Sequence, residues 1–363
     1  MKRIVISKEA IYKNIELLQK KAGKAEIYAV LKSNAYGYDL KQMAEILTQN
    51  GIHRFAVTEP KDAIKIRKWG FVDEDILIIR STSSEDDIKD IITASATASI
   101  GSYEDAVAIN KLAEEQETVC DAHIKIDTGM GRYGFDPNDI DRIISVFRFM
   151  PHINITGMFS HFADVGNKDF TQKQYDSFLS VVAKVRDSGY DPGMLHIDAS
   201  ASVCKGHTKI LDAIRSGSAL TGNNPIVRAA GFLPVSTFET SITEVRWLPK
   251  GHSVGYGGAF VTKRATKIGY LPIGFYDALA VGRKPDVFTF RAKFGRLRDA
   301  FKSIFKNEAI YVTVNGKKAK ILGHIGMNHA AIDITDIDCN VGTTVTLPTM
   351  PFYVSTDVPR EYV

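Results

Sequence analysis

The chain has 363 residues, 44% hydrophobic and 24% charged, with a formal net charge of +4. That length exceeds one ordinary core and suits a large barrel with a smaller companion domain. So mild a charge argues for no nucleic-acid partner, and no apolar run is long enough to span a membrane.

Cys120, Cys204 and Cys339 are scattered, odd in number and without metal-ligand spacing. They fit a reducing compartment, so a cytoplasmic location is expected. The start, Met1 to Glu9, has too short an apolar run for a signal peptide. Ile11, Ile15 and Leu18 predict an amphipathic helix, with Ser7 as a cap and Gly23 after it. Short apolar strands then alternate with helical patterns. Strands are predicted at Ile27–Leu31, Arg54–Thr58, Ile76–Arg80, Ala96–Ile100, His123–Asp127, Ile155–His161, Leu195–Ala199 and Ala213–Ala219. Helical segments such as Asp62–Trp69 and Gln172–Arg186 separate them and end at Gly70 and Gly189. Eight such alternations predict an α/β fold, a (β/α)8 TIM barrel over residues 1–235.

Near Pro234 the texture changes. Phe238–Val245 and Tyr311–Val314 alternate with a period of two, and Asn315-Gly316 is a hairpin signal. Val341–Leu347 is another β-like run. A C-terminal, mainly β domain over 236–363 is expected, and the first strand, Arg3–Ile6, can pair with it. Residues 281–306 carry Arg283, Lys284, Arg291, Lys293, Arg296, Arg298, Lys302 and Lys306 among several phenylalanines. This basic stretch is read as a solvated extension rather than a nucleic-acid site.

The most informative stretch is Ala29-Val30-Leu31-Lys32-Ser33-Asn34-Ala35-Tyr36-Gly37. Lys32 stands where an apolar strand ends. Its stem can pack while its head reaches solvent, or its amine can be bonded to a carbonyl cofactor. Gly129-Met130-Gly131-Arg132-Tyr133-Gly134 literally matches a dinucleotide fingerprint, so a NAD-dependent oxidoreductase is a rival. Against it stand an arginine inside the loop, Pro137 before the next helix, and four strand–helix units already passed.

The Lys32 stretch resembles the lysine motif of the alanine racemase family, Val-Lys-Ala-Asn-Ala-Tyr-Gly. Five further segments are similar to that family: Lys125–Arg132, Phe159–Ala163, His196–Ser200, Arg215–Ser218 and Ser253–Gly258. The resemblance implies a pyridoxal 5'-phosphate (PLP) enzyme that interconverts L- and D-alanine by a two-base mechanism. Lys32 and Tyr256 would be the catalytic bases. Tyr36, Ser200, Gly217 and Ser218 would hold the cofactor phosphate, and Arg215 would face the ring nitrogen. Arg132 and the Met327 backbone would bind the substrate carboxylate. His161 would hydrogen-bond Tyr256, and Lys125 would be carbamylated and orient Arg132. The resemblance also implies a homodimer with composite sites and no metal.

The chain departs from the family on the substrate side. Cys-Met-Asp appears as Gly326-Met327-Asn328, Ile-Gly-Tyr as Ile273-Gly274-Phe275, and the tyrosine before Val-Pro-Arg as Thr356. Asp198 is not usual in its segment. Serine or a broader substrate range is therefore the alternative within the family. A PLP-binding protein without turnover is the alternative outside enzymes.

Overall fold

The computed structural model describes residues 1–281, 290, 293–298 and 309–363. It comprises two compact units, Lys8–Val235 and Met1–Ser7 together with Ser236–Val363. Most of the basic stretch at 281–306 lies outside the described residues. Residues 290 and 293–298 are helical.

The chain opens with β1 (Lys2–Ile6), which belongs to the second unit. The first unit is a closed parallel barrel. Its strands are β2 (Glu26–Val30), β3 (Arg54–Val57), β4 (Asp75–Ser81) and β5 (Thr97–Ile100). β6 (Cys120–Lys125), β7 (Ile153–Phe159), β8 (Met194–Ala199) and β9 (Ala213–Ser216) complete it. β9 closes on β2 in a register that pairs Tyr28 with Arg215. The strands read as near-continuous apolar runs because helices cover the outer face and side chains fill the interior. Helices Pro60–Lys68 and Lys168–Asp187 lie where the sequence places them, the second capped by the Asn167 side chain. All eight predicted strands form.

Three strands end two or three residues before the sequence reading places their ends, and each of these differences matters for the site. β6 stops at Lys125 because Asp127 turns the chain. β7 stops at Phe159, so His161 is on a loop. β9 stops at Ser216 because the next amides turn inward onto Ser200.

The second unit is mainly β. It adds β10 (Ser236–Ser241), β11 (Glu244–Leu248), β12 (Ser253–Val254), β13 (Phe260–Val261) and β14 (Thr266–Leu271). β15 (Tyr311–Val314), β16 (Lys317–Leu322), β17 (Ala330–Asp333), β18 (Thr344–Pro348) and β19 (Arg360–Tyr362) follow. Nine of these, β1 included, form one sheet, and β1 lies between β10 and β19. Asn315 and Gly316 both have positive φ and join β15 to β16, as a tight hairpin requires.

Candidate active site

At the carboxyl end of β2 the chain makes an unusual turn. Ser33, Asn34, Ala35 and Tyr36 all have φ between 51° and 57°. For residues with a Cβ this left-handed conformation costs about 1–2 kcal/mol each. Local bonds offset part of that cost. Asn34 Oδ1 accepts from the Leu40 N–H at 2.8 Å, and Asp39 caps the next helix by accepting from the Gln42 N–H at 3.0 Å. Ala35 and Tyr38 are buried. The turn places Lys32 and Tyr36 in the same cavity. Burial, then the nearby Arg132 charge, lowers the Lys32 pKa, so its ammonium gives up its proton more readily than a surface lysine.

That cavity, of about 240 Å³, is lined by Lys32, Tyr36, Lys125, Arg132, His161, Ser200, Arg215, Gly217 and Ser218. The nine barrel residues singled out in the sequence thus meet in one place, at the end of the barrel where the carboxyl ends of the strands open.

One wall suits an anion. Ser200 Oγ accepts from the Gly217 N–H at 3.1 Å and the Ala219 N–H at 3.2 Å, and lies 2.9 Å from Ser216 Oγ. Convergent amides beside a hydroxyl are what a phosphate needs. Gly217 must lack a side chain, since a Cβ there would sit 2.4 Å from the Tyr36 hydroxyl oxygen. Burial pushes the Tyr36 phenol up to about 12, so it stays a hydroxyl donor. Taken together, the amine, the amide–hydroxyl cradle and the missing Cβ fit a phosphorylated carbonyl cofactor.

Arg215 is buried at the centre. Its Nη2 donates to the Ser160 carbonyl at 2.5 Å, the Ile197 carbonyl at 3.3 Å and His161 Nδ1 at 3.2 Å. Its Nη1 donates to His196 Nδ1 and to the His196 carbonyl. Burial lowers its pKa to about 10, so it remains a cation at neutral pH. His196 passes the pattern on, its Nε2 lying 2.8 Å from His123 Nδ1. Since arginine only donates, His196 accepts at Nδ1 and donates from Nε2. Burial, then Arg215, keeps both histidines neutral, His123 near 3.

Arg132 rides on a loop shaped by Asp127. The carboxylate accepts from the N–H groups of Gly129, Met130, Gly131 and Arg132 at 2.7–3.1 Å. This arrangement answers the dinucleotide reading. The amides that would hold a pyrophosphate are already turned onto an acid. The next helix begins only at Ile140. Lys125 is buried between aromatic faces, its Nζ 5.2 Å from the Tyr133 ring centre and 5.7 Å from that of Phe159. Burial, then Arg132 and Arg215, lowers it to about 8. Its neutral amine, the form that carbamylation needs, is thus easier to reach than in a surface lysine.

The other two sequence candidates lie in the second unit. Tyr256 follows β12 on a single 3-10 turn and is 78% exposed. Met327, also exposed, shares with it a cleft of about 430 Å³. The loop at Gly274 docks on this segment, the Phe275 and Tyr276 N–H groups donating to the Gly326 and Met327 carbonyls, each at 3.1 Å.

Residues 6–225 match the family model for the alanine racemase N-terminal domain. The chain belongs to the alanine racemase family. Residues 235–352 match the model for the C-terminal domain of alanine racemases. The alanine racemase of Methanococcus maripaludis is 29% identical over 94% of this chain and 87% of that protein. That of Clostridium tetani is 31% identical over 89% of this chain and 79% of its own. Among solved structures, the alanine racemase of E. faecalis superposes with a TM-score of 0.82 at 25% identity, covering 100% of this chain and 98% of its own. That of Clostridium difficile gives 0.85 at 23% identity, covering 100% and 95%, a likeness of fold. Membership makes the chain an amino-acid racemase, an isomerase.

Sequence reasoning missed several residues of the site's frame. His123 and Gln174 sit in ordinary strand and helix patterns. Ser216 and Thr128 lie within quoted motifs, but nothing in their spacing marks a hydroxyl contact.

Proposed function

We propose that the chain interconverts L- and D-alanine with PLP held on Lys32, as a homodimer in which Tyr256 of a second copy faces the barrel cavity. The observation that carries this is the convergence of a half-buried lysine, an anion cradle and Arg215 on one cavity. When bound, PLP supplies the electron-withdrawing ring that acidifies the substrate Cα–H. Ser200, Tyr36, Gly217 and Ser218 would hold the phosphate. Arg215 would face the ring nitrogen, where a fixed cation would disfavour protonation and so limit side reactions. Arg132 holds the substrate carboxylate by its planar fork, with the Met327 N–H as a second donor. Lys125, as a carbamate, orients Arg132. Lys32 moves the α-proton on one face and Tyr256 on the other. His161 donates from Nε2 to the Tyr256 oxygen.

Two relatives favour an alanine-like substrate. A solved alanine racemase of Bacillus anthracis carries bound L-Ala-P, and one of Clostridium difficile is a complex with cycloserine. A binder without turnover has no need of the exposed, glycine-flanked Tyr256. The test is the absorbance spectrum before and after borohydride, with D-alanine formation from L-alanine. The native chain should show a reducible cofactor bond and racemise. Lys32→Ala should lose both, and a variant that keeps the reducible bond would sink the assignment.

A further inference from the structure

Gln174 lies on the helix Lys168–Asp187 and is 1% exposed. Its bonds go to the loops that follow β6 and β7. Its Nε2 donates to Thr128 Oγ1 at 3.2 Å and to the His161 carbonyl at 3.3 Å. Its Oε1 accepts from the Ala163 N–H at 2.9 Å. Thr128 Oγ1 in turn lies 2.8 Å from Ser160 Oγ. One side-chain amide therefore spans both loops. The same helix also packs Phe170 against Gly129, where a Cβ would lie 3.1 Å from the ring.

The first loop carries Arg132, the second His161. A buried amide is costly unless its bonds are made, and an apolar side chain would fill this space more cheaply. The two loops share no backbone ladder beyond Ile126, whose N–H donates to the Phe159 carbonyl. Past that point Gln174 and Thr128 supply the polar links between them.

We propose that Gln174 is a positioning residue that fixes the Arg132 loop against the His161 loop, an inference that rests on the roles given to Arg132 and His161 above. The carboxylate fork and the partner of the second base are then held at one spacing. Small misplacements of this kind cost activity steeply. Lys32 lies on neither loop, so the cofactor bond is independent of the clamp.

The experiment compares Gln174→Leu, Thr128→Val and the double variant, each loaded with PLP. In Gln174→Leu the KM for alanine should rise about tenfold with a smaller fall in kcat, while the cofactor absorbance stays native. Hydrogen exchange should rise together at the amides of 129–132 and of Ala163, and stay unchanged in the barrel strands. Thr128→Val should raise KM about threefold, and the double variant should fall short of the product of the two single effects, since both remove the Gln174–Thr128 bond. Native KM and exchange in Gln174→Leu overturn the proposal. So does loosening of one loop alone, or an equal loss of kcat and cofactor. If Gln174→Leu does not fold, Thr128→Val decides by the same two readouts. A native chain without racemisation would sink the function, while the exchange pattern would still judge the clamp.

Discussion

Arg215 donates through Nη2 to Nδ1 of His161, at 3.2 Å. Because arginine has no acceptor, this bond puts the histidine proton on Nε2, the atom left to face a partner. Burial, then the Arg215, Arg132, Lys125 and Lys32 charges, lowers the His161 pKa to about 3. A depressed pKa means the ring stays neutral above that value, so it does not titrate near 6.5. The kcat/KM profile between pH 5 and 9 should show no inflection from His161. His161→Asn, which keeps an N–H donor, should lower the rate about tenfold and leave the inflections in place. An inflection near 6.5 that vanishes in this variant would contradict the assignment.

Tyr256→Phe removes the hydroxyl and nothing else. Losing a general base costs about 10²–10⁴-fold. Rates measured from each enantiomer in deuterated water should fall, with solvent deuterium entering more slowly on one face than the other. The protein should keep its cofactor spectrum, since Tyr256 is on the second unit and highly exposed. Near-native rates in both directions would make Tyr256 structural.

The barrel was legible because its eight strands are apolar runs bounded by glycine-terminated helices, a pattern that survives errors of a few residues. The nine cavity residues were legible because motifs carried them. The frame behind them was not. No periodicity marks Ser33–Tyr36 as left-handed, since that conformation is held by tertiary burial and by Asn34, against local preference. His123 reads as one polar residue in a strand, and only the closed barrel brings it to His196. Gln174 reads as a buried position on an amphipathic helix, and its bonds depend on two loops distant in sequence.

Gly217→Ala tests the phosphate cradle. The new Cβ would meet the Tyr36 ring and hydroxyl at 2.4–2.8 Å, with the ring already packed. Overpacking of this kind costs about 1–3 kcal/mol. The strain should displace Tyr36, so PLP affinity should drop tenfold or more, and the cofactor-free chain should melt only a few degrees lower. Titration of PLP by fluorescence quenching checks it, and native affinity would place the phosphate elsewhere.

Asp198 sets a pH dependence of its own. It is 1% exposed, and among the described residues its Oδ2 has no hydrogen-bond partner. Burial raises its pKa to about 6, against the pull of Ser202 and Arg215. The folded chain therefore holds a proton that the unfolded chain releases between about 4 and 6. Stability from this group declines as pH rises through that window, and the ionised form is disfavoured above it. Asp198→Asn should stabilise the protein by about 2 kcal/mol at pH 8 and by little at pH 4. His161 and His123 act in the opposite sense, since the unfolded chain takes up their protons below about 6.5. The difference between native and variant melts isolates Asp198. An equal gain at both pH values would rule the carboxyl out as the cause.

In the resembling family a tyrosine stands before Val-Pro-Arg, where this chain has Thr356, which is exposed. Phe275 replaces a second tyrosine, and its N–H holds it to the Gly326 carbonyl, on the loop that carries Met327 and Asn328. The cleft beside Tyr256 is lined by Met327 and by polar His324, Asn328 and His329. Tyr353 is the side chain that could fill the space at Thr356. Its ring lies 4.3 Å from that of Phe352, and moving it would cost that contact. A roomier, more neutral pocket follows, suited to serine as well as alanine. One methylene of pocket space is worth about 1–3 kcal/mol, roughly tenfold or more in preference. The kcat/KM for serine should come within about tenfold of that for alanine, and a long polar amino acid should show measurable turnover. Thr356→Tyr should lower the serine value about tenfold more than the alanine value. Strict alanine selectivity, unchanged by Thr356→Tyr, would show that the pocket is alanine-sized and that Thr356 plays no part in it.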